Sequence, residues 1–265
     1  MSPLETTTTL GRYSAAILRG TGTIDDTLAL LDVWTPTMPL DALAALAPTV
    51  LGKATAQRAR DLAYVFARRY LRGDPPPAHV LQRVRAAGAP AVDVRALLLV
   101  YTARAEPIVR DYVAEVYWPR YASGAPTLPR AEADAFLAQA LARGDISAPW
   151  SESTQLHVAQ NLNAILADFG WLSASPPTNR RFQPVALSPL VAGVIAYEHH
   201  AAGRSDHSLP DAPDWTLFGL DRYAVVGHLE RLMRGGHLVV QHAGDLLRLS
   251  WRYTTLDEAI LALTD

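Results

Sequence analysis

The chain has 265 residues, 49% of them hydrophobic and 19% charged, with a formal net charge of −2. That make-up suits a soluble globular protein with one large or two small domains and a sizeable core, and is not that of a disordered chain. There is no cysteine, which excludes thiol nucleophiles, disulfides and cysteine-ligated zinc and fits a cytoplasmic location.

The opening "MSPLETTTTLGRYS" lacks a basic start ahead of an apolar core, so it is not expected to be a signal peptide. "GTGTID" (20–25) lacks the third glycine of a dinucleotide fingerprint and reads as a turn and a helix cap. Thr23 and Asp26 have capping-box spacing ahead of "TLALLDVW". Pro36 and Pro39 then break the chain, and a short helix over 40–46 follows. Next comes "TAQRARDLAYVFARRYLRG", a basic helix that stops at Gly73 and "DPPP". Helical patterns cover 78–87, 94–103, 107–121, 129–142 and 152–169, with Pro129 suited to a first helical position. No strand-like alternation is seen before residue 180.

"LSASPPTNRRFQP" (172–184) has the composition of a linker. Beyond it Ser188 caps a helix that starts at Pro189, and a polar loop follows over 203–213. "DWTLFGL" is a short helical piece, and "DRYAVVGHLERLMRGG" begins a helix near Asp221 with Val225, Val226, Leu229, Leu232 and Met233 on its buried face. "HLVVQHAGDLLRLSW" reads as two strands around a turn at Ala243, Gly244 and Asp245. Helix, short helix, helix, hairpin is the order of a winged helix. The expected fold class is therefore mainly α: a helical N-terminal domain over 1–172 with a helix-turn-helix-like basic segment, a linker over 173–184, and a small winged-helix-like domain with one β-hairpin over 185–265. A cut in the linker is expected to leave a folded C-terminal fragment.

Charge is unevenly spread. Between Lys53 and Arg85 stand eight basic residues against two acids, while the rest of the chain holds 16 against 24. Such asymmetry suits a nucleic-acid or acidic-partner surface, although solvated helix faces are also charged. Lys53 is the sole lysine beside 23 arginines, so the choice of arginine at any one site carries less meaning than usual. On a helical projection Ala59, Leu62, Ala63, Phe66 and Tyr70 form the buried stripe. Gln57, Arg60, Tyr64, Arg68 and Arg72 fall opposite it, flanked by Arg58 and Arg69. These side chains can meet phosphates, guanine or adenine edges and base faces, and Thr55 can cap the helix. The helix over 40–46 and the "APTVLGKA" connection fit a helix-turn-helix only roughly, because that connection is long. Tyr223, Arg231 and Arg234 on the Asp221 helix, with Arg248 in the hairpin, form a secondary surface for DNA or a partner; Gly227 and Glu230 share that face.

A search for chemistry finds no catalytic residues, metal site or cofactor. There is no phosphate loop, nucleophile elbow or zinc-hydrolase spacing. Glu198, His199, His200 and His207 cluster in "EHHAAGRSDH", but neighbouring histidines on a helix diverge by about 100°. "PDAPDW" has no lysine after it to complete a nuclease motif.

Four stretches in order, "YSAAILRGTGTIDDTLALLDVW", "TAQRARDLAYVFARRYL", "LLLVYTARAEPIVRDYVAEVYWPRY" and "DAFLAQALARGDISAPWSESTQLHVAQNLNAILADFGWL", resemble the BrxA family of BREX bacteriophage-exclusion systems. The resemblance covers about 13–172 and, more loosely, the winged-helix segment. It implies a non-enzymatic, DNA-binding accessory of a defence system that methylates host DNA and blocks phage. Double-stranded DNA and other defence components are the implied partners. The family's comparison with NusB-like proteins leaves RNA open as a target. A protein-interaction scaffold, whose basic helix docks an acidic subunit, is the other reading. No segment is apolar and long enough to support a membrane role.

Overall fold

The computed structural model describes residues 12–19, 23–244 and 246–264. The opening stretch before Arg12, the turn expected at 20–22 and Asp245 of the hairpin turn lie outside the described residues. The structure is mainly helical: α1 (Ile24–Val33), α2 (Leu40–Leu51), α3 (Ala56–Tyr70), α4 (Pro77–Ala86), α5 (Ala91–Ala105), α6 (Pro107–Tyr112), α7 (Trp118–Ala122), α8 (Arg130–Arg143), α9 (Glu152–Asp168), α10 (Pro189–Ala201), α11 (Arg222–Arg234) and α12 (Leu256–Thr264). Two antiparallel pairs accompany them, β1 (Thr127–Pro129) with β2 (Asn179–Arg181) and β3 (Leu238–Ala243) with β4 (Leu246–Trp251). Among the described residues no helix is long and apolar enough to cross a membrane.

The chain forms two compact units. One joins 12–19 to Glu106–Gln183, and the other joins 23–105 to the residues from Pro184 onward. This division runs differently from the one drawn from composition. The stretch 173–184 holds β2, whose Arg180 lies opposite Leu128 of β1, and Phe182 bridges to Leu172. Strands this short show no alternation, so the pattern before residue 180 concealed them.

In the first unit α8 packs on α9, and the 3-10 turn Ala15–Arg19 also meets α9. The Tyr13 hydroxyl donates to buried Asp111 at 2.7 Å, and Arg12 and Arg110 pair with the same carboxylate. A π-helical turn, Val113–Tyr117, joins α6 to α7. It is flanked by Tyr112, whose hydroxyl donates to Asn163 Oδ1 at 2.6 Å, and it ends at Tyr117, whose ring meets Trp118, Trp171 and Phe182. Such aromatic contacts add to area burial in holding a small core.

In the second unit α2 runs on to Leu51 even though Pro48 lies inside it. Proline removes the amide that would bond Ala44, yet burial of Leu43, Ala44 and Ala47 on the neighbouring helices outweighs that deficit. Gly52, at φ +54°, closes α2 in the left-handed conformation, and Thr55 caps α3 by accepting from the Arg58 amide at 3.1 Å. The connection is thus only Gly52–Thr55, tighter than the sequence pattern allowed. Thr23 precedes α1 but makes no side-chain capping bond, and Asp26, its expected box partner, instead pairs with Lys53.

Helix α5 is buried from Leu97 through Ala103 and forms the centre of this unit, with α3, α4 and α10 packed on it. Ser188 caps α10 as expected, and Asp221 caps α11. Val225, Leu229 and Leu232 of α11 are buried, whereas Val226 is half-buried and Met233 is exposed at the margin. The hairpin pairs Leu238 with Trp251 through Ala243 with Leu246. Helix α12, which the sequence pattern did not announce, lies along α10 where Gly193 leaves room for Leu263; a Cβ there would stand 2.5 Å from Leu263 Cδ1.

Candidate functional site

The outer face of α3 follows its period. Gln57, Arg58, Arg60 and Tyr64 are exposed, and Leu62, Phe66 and Tyr70 are buried. The helix contains one acid, half-buried Asp61, which accepts from Gln57 Nε2 at 3.0 Å. Lys53 is exposed in the α2–α3 connection, with its Nζ held 2.7 Å from Asp26.

Two expectations fail toward the end of α3. Arg69 does not flank an exposed face: it is buried at 4% exposure. Val65 and Ala67 are buried as well, so the packed side of the helix is wider here than one stripe. Arg68 is half-buried. With exposed Arg72, these arginines line a cavity of about 510 Å3 in the second unit, to which α5 contributes Tyr101 and Arg104 and α10 contributes Glu198.

Behind this cavity lies a closed polar network. Arg104 donates from Nε and Nη2 to Asp214, the shortest contact being 2.7 Å, and from Nη2 to Glu198 at 2.8 Å. The Tyr101 hydroxyl donates to Glu198 at 2.6 Å, and His199 Nε2 lies 2.7 Å from Asp214. Burial alone would raise the Asp214 pKa, but the His199 hydrogen bond and the Arg104 charge outweigh it and hold the group down at about 2. Burial, and then the Glu198 charge, push the Tyr101 hydroxyl well above its ordinary value. The contacts made by Tyr101 and Arg104 span 94 to 110 residues of chain, so no local motif announced them.

The histidines of "EHHAAGRSDH" serve separate contacts. His199 joins the network, His200 stacks on Trp251, and His207 meets Arg222. Among the described residues no set of three potential metal ligands comes together.

On α11, Tyr223 is 85% exposed, and Arg231 and Arg234 are exposed, as is Arg248 opposite Gln241 on the hairpin. Arg231 contacts His228 at 3.2 Å. Glu230, expected on the open face, is half-buried and lies 3.4 Å from His242.

The sequence matches the BrxA family model over residues 11–198. The chain belongs to the BrxA family. The matched region contains α1 to α9 and most of α10, and therefore the basic helix, Arg104 and Glu198; α11, the hairpin and α12 lie beyond it. Among solved structures, an uncharacterized protein from Magnetospirillum magneticum is similar, with a TM-score of 0.58 and 19% identity over 72% of this chain and 95% of that one. That likeness concerns the fold. Nothing among the curated proteins matches the sequence.

Proposed function

We propose that this BrxA-family protein is a non-enzymatic accessory of a BREX phage-exclusion system that binds double-stranded DNA, mainly through the phosphate backbone. The observation that carries the reading is the outer face of α3. Arg58, Arg60 and Tyr64 point to solvent there, while the helix's single acid is tied to Gln57. The order of α2, a short connection and α3 supports a helix-turn-helix reading, with a capped helix start that can face a phosphate. The order of α11 and the β3–β4 hairpin is consistent with a winged helix, and Tyr223, Arg231, Arg234 and Arg248 are proposed as a secondary contact. Other defence subunits complete the set of partners.

The test is a binding titration of Arg58→Ala/Arg60→Ala against duplex DNA over a range of salt. Surface replacements leave stability within about 0.5 kcal/mol. Affinity should fall, and the salt slope should lessen by about 0.9 for each phosphate that is no longer neutralised. If the folded double variant binds duplex as tightly as the parent, with the same slope, the arginines serve an acidic protein partner instead. Tighter binding of RNA than of duplex DNA would redirect the reading to a NusB-like RNA-binding protein.

A further inference from the structure

We propose that the groove between α11 and the β3–β4 hairpin is a self-association surface, filled by the same face of a second copy of this chain. The groove holds about 470 Å3. Half-buried Val226 and Gly227 and buried Leu247 line it, while Tyr223 and Leu246 border it at 85% and 68% exposure. On α11, Tyr223, Val226, Gly227 and Glu230 fall within one arc of about 100°, opposite the buried Val225, Leu229 and Leu232.

Gly227 singles this face out. Among the described glycines, Gly193, Gly227 and Gly235 lie outside the left-handed region. A Cβ at Gly193 would run into Leu263 and one at Gly235 into His237, so the chain's own packing accounts for both. A Cβ at Gly227 would meet nothing within 4 Å. Neither a turn nor an internal neighbour requires glycine there, and glycine in mid-helix costs stability relative to alanine. A residue without a side chain, in the middle of an open helix face, lets another backbone come close.

Shape and charge point to the occupant. A two-fold contact needs a patch that fits itself. Here the protruding Tyr223 and Leu246 adjoin the hollow, so each copy supplies what fills the other. Two α11 helices crossing antiparallel at Gly227 set Tyr223, four residues before the crossing, level with Arg231 of the second copy, four residues after it. The guanidinium can then lie against the tyrosine ring, and Glu230 beside it can accept from the tyrosine hydroxyl. Within one chain Glu230 lies near the His242 imidazole and Arg231 near that of His228, so neither is engaged by a side chain that is always charged. Arg222, also in the lining, is answered by Asp211. This assigns a partner to the α11 surface, and it stands apart from what α3 binds.

The experiment is sedimentation velocity of the full chain from low to high micromolar concentration. A contact of this extent is at the small end of specific interfaces, so the parent should pass from monomer to dimer within that range. Tyr223→Ser should melt as the parent does and weaken association about tenfold or more, because an aromatic anchor is lost. Gly227→Ala should melt at a higher temperature, since alanine favours helix and finds open space, yet weaken association about fivefold or more by holding the helices apart. Arg58→Ala/Arg60→Ala on α3 should associate as the parent does, so loss of DNA binding and loss of the dimer are told apart. The proposal is overturned if the parent stays monomeric throughout, which leaves the groove to a different subunit or to DNA, or if either folded variant associates undiminished. It is also overturned if Gly227→Ala melts below the parent, because the glycine then serves its own fold.

Discussion

Asp214 is almost sealed from solvent yet remains ionised, since His199 and Arg104 answer its charge. Its pKa falls from 3.8 to about 2 on folding. A depressed carboxylate stabilises the fold above its unfolded pKa, and that contribution drains away as pH drops through the folded value. The window therefore runs from about pH 4 down to about pH 2, and the shift is worth about 2 kcal/mol. Asp214→Asn leaves Arg104 with Glu198 alone and His199 without its carboxylate, and should cost about 3 kcal/mol at pH 6. At pH 2 the cost should be much smaller, because the parent has itself begun to lose the charge. Urea unfolding at the two pH values measures the difference; equal costs would mean that the carboxylate's charge does not stabilise the fold. At this scale the sequence was legible where periodicity governs: Arg60 and Tyr64 face out and Leu62 and Phe66 face in. Periodicity gives an angle around the axis but not how far neighbours wrap the helix, so Arg69 was misplaced. The network of Tyr101, Arg104, Glu198 and Asp214 was not legible, because its members meet only through tertiary packing.

Among elements, α12 carries a signal that could have been read. Thr255 and Glu258 form a capping box: the Glu258 amide donates to Thr255 Oγ1, and Glu258 Oε2 accepts from the Thr254 and Thr255 amides. Glu258→Ala should cost about 1 kcal/mol, read from the denaturant midpoint. Helix α2 illustrates the opposite case, in which a visible breaker, Pro48, is overridden by burial of Leu43, Ala44 and Ala47 in the turns before it. The α10–α12 contact sets two effects against each other at Gly193. Alanine there gains about 1 kcal/mol of helix propensity, while its Cβ forces the flexible end of Leu263 aside. Gly193→Ala should be nearly neutral. Gly193→Val gains less propensity and carries more bulk, and should cost about 2 kcal/mol in thermal or urea unfolding.

For the whole molecule, the two compact units alter the expected result of cutting the chain at 173–184. Helix α10 packs on α5, and α12 packs on α4. The Arg104–Asp214 pair also ties the early segment to the late one. A fragment of 185–265 alone leaves those apolar faces uncovered and Asp214 without its arginine. It should melt without a cooperative transition in circular dichroism. A chain joining 23–105 to 184–265 through a flexible linker should melt cooperatively. A cooperative transition in the shorter fragment would restore the division drawn from composition.

The interruption of the second unit by residues 106–183 also bears on events at the ribosome. Helices α1 to α5 emerge first, with the apolar run from Leu97 to Val100 lacking its α10 cover. Synthesis at about 5–20 residues per second leaves that surface open for about 5–20 s while the roughly 100 residues up to the end of α10 are made. Within that interval the intervening unit can complete its own core. The order of synthesis thus allows the inserted unit to fold before its host, with the α10-facing side of α5 as the surface left open meanwhile.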